Sequence, residues 1–333
     1  MRAGFVALVG RPNVGKSTLL NQILGEKLAI ATPRPQTTRE RLLGVYNRDG
    51  LQVAFIDTPG LHRPSGPGRT RLNQFMVDEA KQALADVDAV VVLVELEPIP
   101  EPRDRHRGHA KKGAAPEPTK KKKKLGMRLD SATLQMLDEV KAAGRPMILA
   151  VNKVDQLHDK LQLLPILEQV HKLGYATVVP ISAKVGTSVA TLIDEVEKMV
   201  PEGEALFDAD TLTDRAERWF VTEFVREQVF LLTKREVPYS VAVSVDEFEE
   251  KPVRPGSTPE RELRVSATIS VDKEAHKRIL VGEGGRMIRE IGSRARHELG
   301  QRFEALVHLT LFVRVDEGWT QNPNKLRELG YQA

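Results

Sequence analysis

A doubly wound α/β domain followed by a smaller α+β unit is the fold class that the 333-residue sequence predicts. Two observations predict the first part and one predicts the second. Over the first 200 residues, short apolar runs alternate with amphipathic stretches, the pattern of strands buried on both faces of a parallel sheet and joined by helices. A glycine-rich loop at 10–17 falls between the first such run and the first such stretch. Beyond 214 the order changes to a long helix, two β-rich runs, two helical stretches and a last strand.

The strands come first. "FVALVG" (5–10), "QVAFID" (52–57), "AVVVLVE" (89–95), "MILAVN" (147–152) and "TVVPIS" (177–182) are short, apolar and rich in Val and Ile. Between them, "KSTLLNQIL", "LNQFMVDEAKQALAD", "SATLQMLDEVKAAG" and "SVATLIDEVEKMV" carry helical periodicity. The run "RLLGVYNRDGLQVAFID" predicts a hairpin turning at "NRDG", which adds one antiparallel edge strand. Residues 97–127, rich in Pro, Gly and Lys and nearly free of periodic apolar positions, read as a disordered insertion at the sheet edge. The domain division is therefore 1–200, a linker at 201–216, and 217–333. In the last part a helix at 214–234 precedes "YSVAVSVDEFEE" and "ELRVSATISV"; helices near 273–280 and 286–300 and the strand "LVHLTLFVRV" follow.

Composition narrows the function classes. The chain has no cysteine, which excludes disulfides, thiolate catalysis and zinc–sulfur sites and favours a reducing, cytoplasmic setting. No apolar run is long enough to span a bilayer. The net charge is +4, but residues 97–129 hold eleven Lys and Arg against four acids, a balance of +7 that leaves the rest at −3. The basic pI therefore reports one segment and not a basic face.

"GRPNVGKS" (10–17) fits the phosphate-loop pattern in its required setting, after a strand and before a helix. Gly10 and Gly15 let the backbone wrap phosphates, with Asn13 and Val14 between them and Thr18 just beyond. Lys16 reaches the outer phosphates, and the Ser17 hydroxyl ligates Mg²⁺. "NKVD" then selects the base. Guanine presents N1–H and N2–H₂ side by side, a pair that the single carboxylate of Asp155 accepts, whereas adenine leaves it unpaired. Asn152 bonds either the base edge or the phosphate loop, and the Lys153 stem covers the base plane; "SAK", Ser182, Ala183 and Lys184, follows on the next strand. In "DTPG" Asp57 holds Mg²⁺ through water and Gly60 senses the γ-phosphate. "QTTRERL" offers a hydroxyl that closes on the metal when a third phosphate is present, Thr38 first and Thr37 in reserve. Lys16, Thr38, Asp57 and Gly60 are thus the catalytic candidates, and Ser17, Thr38 and Asp57 the metal set. A Ras-type switch would carry a Gln directly after its D-x-x-G motif, and this chain has Leu61 and then His62, so intrinsic hydrolysis is expected to be slow or to depend on another group or ion.

A second glycine loop, "GEGG" (282–285), lacks both the third glycine of a dinucleotide fingerprint and the Lys-Ser pair of a nucleotide loop. It does match the G-x-x-G with which KH domains clamp about four nucleotides of single-stranded RNA. Gly282, Glu283, Gly284, Gly285, Arg286 and Arg289 are the RNA-binding candidates. Residues 272–304 carry eight Lys and Arg against six acids, so affinity there would rest on backbone geometry and a few placed charges.

Taken together, "GRPNVGKSTLLN", "QTTR", "DTPGLH", "NKVD", "SAK", "TDRAERWFVTEFVREQVF", "VPYSVAV", "VGEGGRMIREIGSRAR", "EALVHLTLFVRVDEGW" and "LRELGY" closely resemble the Era family of bacterial GTPases, nearly end to end. The resemblance implies a P-loop GTPase domain with a mostly parallel sheet and a C-terminal α+β KH domain of type II. It implies GTP hydrolysis coupled to small-subunit ribosome assembly, with the 3′ end of the small-subunit ribosomal RNA bound by the KH domain. It further implies a monomer and, for some members, peripheral contact with the inner membrane. Nucleotide contacts are implied at Asn13 through Thr18, at Asn152, Lys153 and Asp155, and at Ser182 through Lys184; Asn13 is similar to the asparagine with which related GTPases recruit K⁺. The segment 97–127 departs from the family pattern, and its Lys run is either an RNA-binding arm or a solvated tail. Two rival functions stay open: an RNA chaperone in which GTP is a structural ligand, and a membrane-associated cell-cycle switch.

Overall fold

A central strand with parallel neighbours on both sides organises the first part of the chain. The computed structural model describes residues 1–61, 70–98, 127–157, 159–253, 256 and 258–331. β1 (Arg2–Gly10) is flanked by β3 (Leu51–Asp57) and β4 (Ala89–Val94), and β7 (Met147–Val151) and β8 (Val178–Pro180) extend the sheet beyond β4. β2 (Leu42–Arg48) returns antiparallel on β3 through the Asp49–Gly50 turn, where Gly50 has φ 74°, and forms the other edge. The order is β2-β3-β1-β4-β7-β8, the doubly wound sheet expected. Every residue of β4 is buried, which is why its sequence is apolar without alternation.

Helices α1 (Lys16–Leu24) and α5 (Val189–Glu197) cover one face with Leu19, Leu20, Leu192 and Val196. The other face lies under the end of α2 (Arg71–Ala85), α3 (Ser131–Ala142) and α4 (Leu164–Lys172), through Leu84, Leu137, Val140 and Val170. Thr70 and Asp130 start α2 and α3 by accepting the N–H groups of Asn73 and Thr133, satisfying donors that no helical carbonyl can reach. The expected strand 177–182 is pared to three residues, because its partner β7 ends at Val151, opposite Pro180. The expected insertion also shrinks: β5 (Glu97–Pro98) and β6 (Met127–Arg128) pair antiparallel and close its base. The rest of it, 99–126, and His62 lie outside the described residues.

The second part begins with α6 (Glu217–Leu232), shorter than the expected 214–234 because Ala216 and Thr233 have extended backbone. β9 (Val241–Lys251), β10 (Arg261–Val271) and β11 (Ala305–Val315) make a three-stranded sheet, β11-β10-β9, with β10 antiparallel to β9 and parallel to β11. The parallel pair needs a long crossover, supplied by α7 (Glu274–Val281), the GEGG loop and α8 (Arg286–Phe303). A last helix, α9 (Pro323–Glu328), follows.

The expected linker is not loose. The Gln52 side chain bonds the backbone of Leu206 and Phe207, and Phe207 lies edge-on to Phe5. Val45 N–H donates to Leu212 O at 2.8 Å, and Thr213 Oγ1 to Leu43 O at 2.6 Å, so the segment runs along the outer edge of β2. One buried apolar cluster continues from α1 and α5 into Phe220, Phe224, β9, β10 and α8. The two parts share a core.

Candidate functional site

The strand-to-helix turn after β1 is held open by backbone conformation. Gly15 has φ 104°, and a Cβ there would stand 2.4 Å from Asn152 Nδ2. A Cβ on Gly10 would stand 2.6 Å from Leu93 O. Only glycine fits at either place, and the loop can therefore present its N–H groups at the start of α1, where helix dipole and free donors favour an anion. Lys16 is buried and donates to Gly10 O and Arg11 O, each at 3.2 Å. Burial lowers its pKa to about 8, and Asp57 pulls the other way.

At the foot of the loop the three expected metal residues converge. Ser17 Oγ donates to Asp57 Oδ2 at 2.6 Å, Thr38 Oγ1 donates to the same oxygen at 3.2 Å, and the two hydroxyls are 2.9 Å apart. Thr38 is thus the residue that reaches the site. Thr37 turns away, bonding Arg34 O and Thr32 instead. Asp57 is fully buried; burial pushes its carboxyl up, while Lys16, Ser17, Thr38 and Thr58 draw it down. Its second oxygen, Oδ1, is buried without a hydrogen-bond partner. Two hydroxyls and a carboxylate with a spare oxygen fit a hard divalent cation, and all are oxygen donors as Mg²⁺ requires. Gly60 lies against the loop: a Cβ would come within 2.7 Å of the Pro12 nitrogen. The next residue, Leu61, donates its N–H to Gly10 O at 3.1 Å and packs its side chain on the apolar core, so this position offers nothing to orient a water.

The base-reading end forms where β7 and β8 run out. Asn152 bridges loops, donating from Nδ2 to Val14 O at 2.7 Å and accepting Ala183 N–H at 2.9 Å. Of the two roles left open for it, the structure gives the phosphate loop. Ser182 Oγ donates to Asp155 Oδ1 at 2.6 Å, fixing the carboxylate. Lys153 takes a left-handed φ of 66° and pairs with Glu95, a partner that sequence spacing does not reveal. Lys184 is exposed at the rim, and Thr18 lines the same pocket as Asn13, Lys16, Ser17, Thr38 and Gly60. Asn13, at φ 63°, donates from Nδ2 to Pro33 O at 3.1 Å, which ties the loop to the segment before Thr38.

In the second part, Gly282, Gly284 and Gly285 have φ of 68°, 57° and 75°. A Cβ on Gly282 would stand 2.8 Å from Met287 Cβ, so that glycine is required by packing as well as by conformation. The loop opens α8, and its side chains are outward: Glu283 and Arg286 pair at 3.0 Å while both remain largely exposed. The Arg289 guanidinium reaches back over the loop, 3.4 Å from where a Gly285 Cβ would sit.

Sequence reasoning gave no role to the residue after Thr38. Arg39 is only 3% exposed, and its guanidinium ends in the second part of the chain. Nη1 donates to Val241 O at 2.6 Å and Tyr331 Oη at 3.0 Å; Nη2 donates to Pro238 O at 3.2 Å and Tyr239 O at 3.1 Å. The Trp319 and Tyr331 rings stack at 5.9 Å, each 6.0 Å from the guanidinium. From the other side α2 adds Phe75, edge-on to Tyr331 at 5.9 Å, with Leu72 and Met76. Nearby, Lys27 pairs with Glu227 at 2.7 Å and Glu298 at 2.9 Å, and Glu26 with Arg302 at 3.1 Å. A cavity of about 330 Å³ separates Thr38 and Asp57 from Trp219, Glu223, Arg226 and Tyr331.

Comparison with known proteins agrees with this geometry. Residues 5–153 match the model of a family described as 50S ribosome-binding GTPases, and residues 236–320 match the KH domain family. The chain is 41% identical over 331 residues to the GTPase Era of Syntrophus aciditrophicus, covering 99% of this chain and 95% of that protein. With the GTPase Era of Geobacter metallireducens it shares 39% over 330 residues, covering 99% and 98%. Among solved structures, an Aquifex aeolicus Era variant bound to GDP·AlF₄⁻ is similar at a TM-score of 0.84 and 34% identity, with both chains covered in full. Era in complex with MgGDPNP and nucleotides 1506–1542 of 16S ribosomal RNA is similar to the same degree, TM-score 0.84 and 34% identity over 100% of both chains.

Proposed function

Because the chain belongs to the Era family of GTPases, we propose that it is a GTP-hydrolysing switch that binds the 3′ end of small-subunit ribosomal RNA and acts in small ribosomal subunit assembly. The observation that carries this reading is the convergence of Ser17, Thr38 and Asp57 beneath the phosphate loop, in one chain with the exposed GEGG loop. The division of labour follows: a GTPase domain at 1–200, a linker at 201–216 and an RNA-binding KH domain at 217–333.

In the nucleotide site, Gly10 through Thr18 cradle the phosphates and Lys16 meets the outer ones as a point charge. Asp155, steadied by Ser182, accepts the two guanine N–H groups. Ser17 and Thr38 ligate Mg²⁺, with Asp57 behind them. The bound ion would neutralise charge on the outer phosphates. Thr38 and the Gly60 N–H sense the third phosphate, and Asn152 keeps the base-reading and phosphate-holding loops in register. In the KH domain Gly282 to Arg286 and Arg289 hold the RNA backbone. An Era complex with 16S ribosomal RNA supports the partner.

Leu61 leaves the attacking water without a glutamine, and K⁺ held by Asn13 would supply part of the missing positive charge. The Asn13 amide nitrogen is already engaged by Pro33 O, so its carbonyl oxygen is the group to face such an ion. Faster hydrolysis in KCl than in NaCl, lost in Asn13→Ala, checks this. A monomer and peripheral contact with the inner membrane complete the reading. Among the described residues no helix is long and apolar enough to cross a membrane. Flotation with anionic vesicles, with and without residues 99–126, tests that contact.

The central test is binding of a 3′-terminal small-subunit rRNA oligonucleotide against a scrambled one, with GDP and with a non-hydrolysable GTP analogue. Wild type should bind the true sequence more tightly in the GTP form, and a Gly284→Asp, Gly285→Asp variant should lose binding. Equal binding to both oligonucleotides would sink the reading.

A further inference from the structure

We propose that Arg39 is the positioning residue through which the docked KH domain holds Thr38 over the magnesium site. The proposal rests on the reading of Thr38 as the γ-phosphate sensor. It concerns a residue that touches neither nucleotide nor metal.

All four of the hydrogen bonds described for the Arg39 guanidinium end in the second domain, on Val241, Pro238, Tyr239 and Tyr331. None goes to a carboxylate, so the buried charge is solvated by carbonyl dipoles, a phenol and the faces of Trp319 and Tyr331. That solvation exists only while β9 and the C-terminal segment are docked. If they withdraw, the guanidinium loses its partners and must return to water, taking its segment with it.

Thr38 is the adjacent residue, and consecutive Cα atoms are about 3.8 Å apart. The Thr38 hydroxyl has 2.9 Å and 3.2 Å contacts with Ser17 and Asp57, and a shift of its neighbour by even 1 Å breaks them. The space beside it is a cavity of about 330 Å³ rather than packed side chains, and the following residues Glu40 and Arg41 are tied only as far as Arg215, ahead of α6. The same aromatic pair also receives Phe75 of α2, the helix that follows the D-T-P-G segment. Trp319 and Tyr331 therefore touch both Arg39, next to Thr38, and Phe75 of α2.

Because coupling between two sites is reciprocal, the KH domain should tighten the GTP form by the same factor by which GTP tightens docking. The alternative is a tie that merely holds two domains together and weakens both nucleotide states alike when cut.

The experiment measures affinity of the full chain, in Mg²⁺, for GDP and for a non-hydrolysable GTP analogue, with kcat and KM for GTP. The variants are Thr38→Ala, Arg39→Ala, Tyr331→Ala and Tyr331→Phe. Expected are about tenfold weaker analogue binding and lower kcat for the first three, GDP affinity within about threefold of wild type, and a smaller loss in the same direction for Tyr331→Phe, which keeps the ring but removes the phenol acceptor. Tyr331→Ala, near the end of the chain, guards against misfolding of Arg39→Ala. If Arg39→Ala and Tyr331→Ala leave the GTP-to-GDP affinity ratio unchanged while Thr38→Ala lowers it, the proposal is overturned and the sensor stands. Equal loss of GDP and analogue overturns it as well, in favour of a plain structural tie. An unchanged ratio in Thr38→Ala removes the sensor itself and the proposal with it.

Discussion

In the proposed function Asp155 carries base selection on one carboxylate, which Ser182 holds with a 2.6 Å hydrogen bond. Replacing that acceptor by a donor should reverse its preference. Asp155→Asn should bind GDP at least 10²-fold more weakly, since each of the two charged hydrogen bonds to guanine contributes about 1.5–3 kcal/mol, and should gain affinity for the 2-oxo analogue xanthosine diphosphate. Competition between the two diphosphates for one fluorescent nucleotide measures the exchange. Lys16 supplies a second expectation. Its pKa stands near 8 because burial disfavours the charge. Phosphates favour the charged form and raise that value, so nucleotide binding takes up a proton only above it. Affinity should therefore be flat with pH up to about 8 and fall as pH rises further. Binding heats taken in two buffers of different ionisation enthalpy should differ near pH 8.5 and agree near pH 7. A pH-independent affinity across that range would mean that Lys16 is charged throughout.

At the scale of elements, the GEGG turn is set by local rules and the interdomain contacts are not. Gly282 sits at positive φ with no room for a Cβ, so Gly282→Ala should cost about 1–3 kcal/mol, read as a lower midpoint in urea. Gly284 has positive φ but open space, so Gly284→Ala should cost less. The phosphate loop and the hairpin were legible in the sequence for the same reason: each is decided by residues within a turn of one another. Asn152 was legible as a site residue and ambiguous in role, because Val14 and Ala183 lie far from it along the chain. Arg39 was not legible at all. Its partners are 199 to 292 positions away, and an arginine after two threonines carries no periodic signal that it is buried. The shortness of β8 was not readable from its own apolar run, because it is set by where β7 ends, at Val151.

Across the whole molecule, a shared core makes the two domains one thermodynamic object. Phe220 and Phe224 belong to the same buried cluster as Leu19 and Leu192, and Lys27 is clasped by Glu227 and Glu298 across the boundary. Calorimetry on the full chain should show one cooperative transition, and GDP should raise the melting temperature of both domains together. Two separated transitions, with only the first shifted by nucleotide, would contradict this.

The segment lying along β2 has a consequence for how the protein is made. Val45, Leu43 and Asn47 are met by Leu212, Thr213 and Ala209, so the open rim of the six-stranded sheet is covered by chain that emerges from the ribosome more than 150 residues later. During synthesis the first domain can fold once its strands are out, yet for some seconds it presents an uncovered strand, the kind of edge on which nascent chains stick to one another. A chain cut after residue 200 should self-associate where one cut after 216 does not, and light scattering on the two would show it. Residues 201–216 are then a built-in guard of a folding intermediate, completed just before the second domain begins.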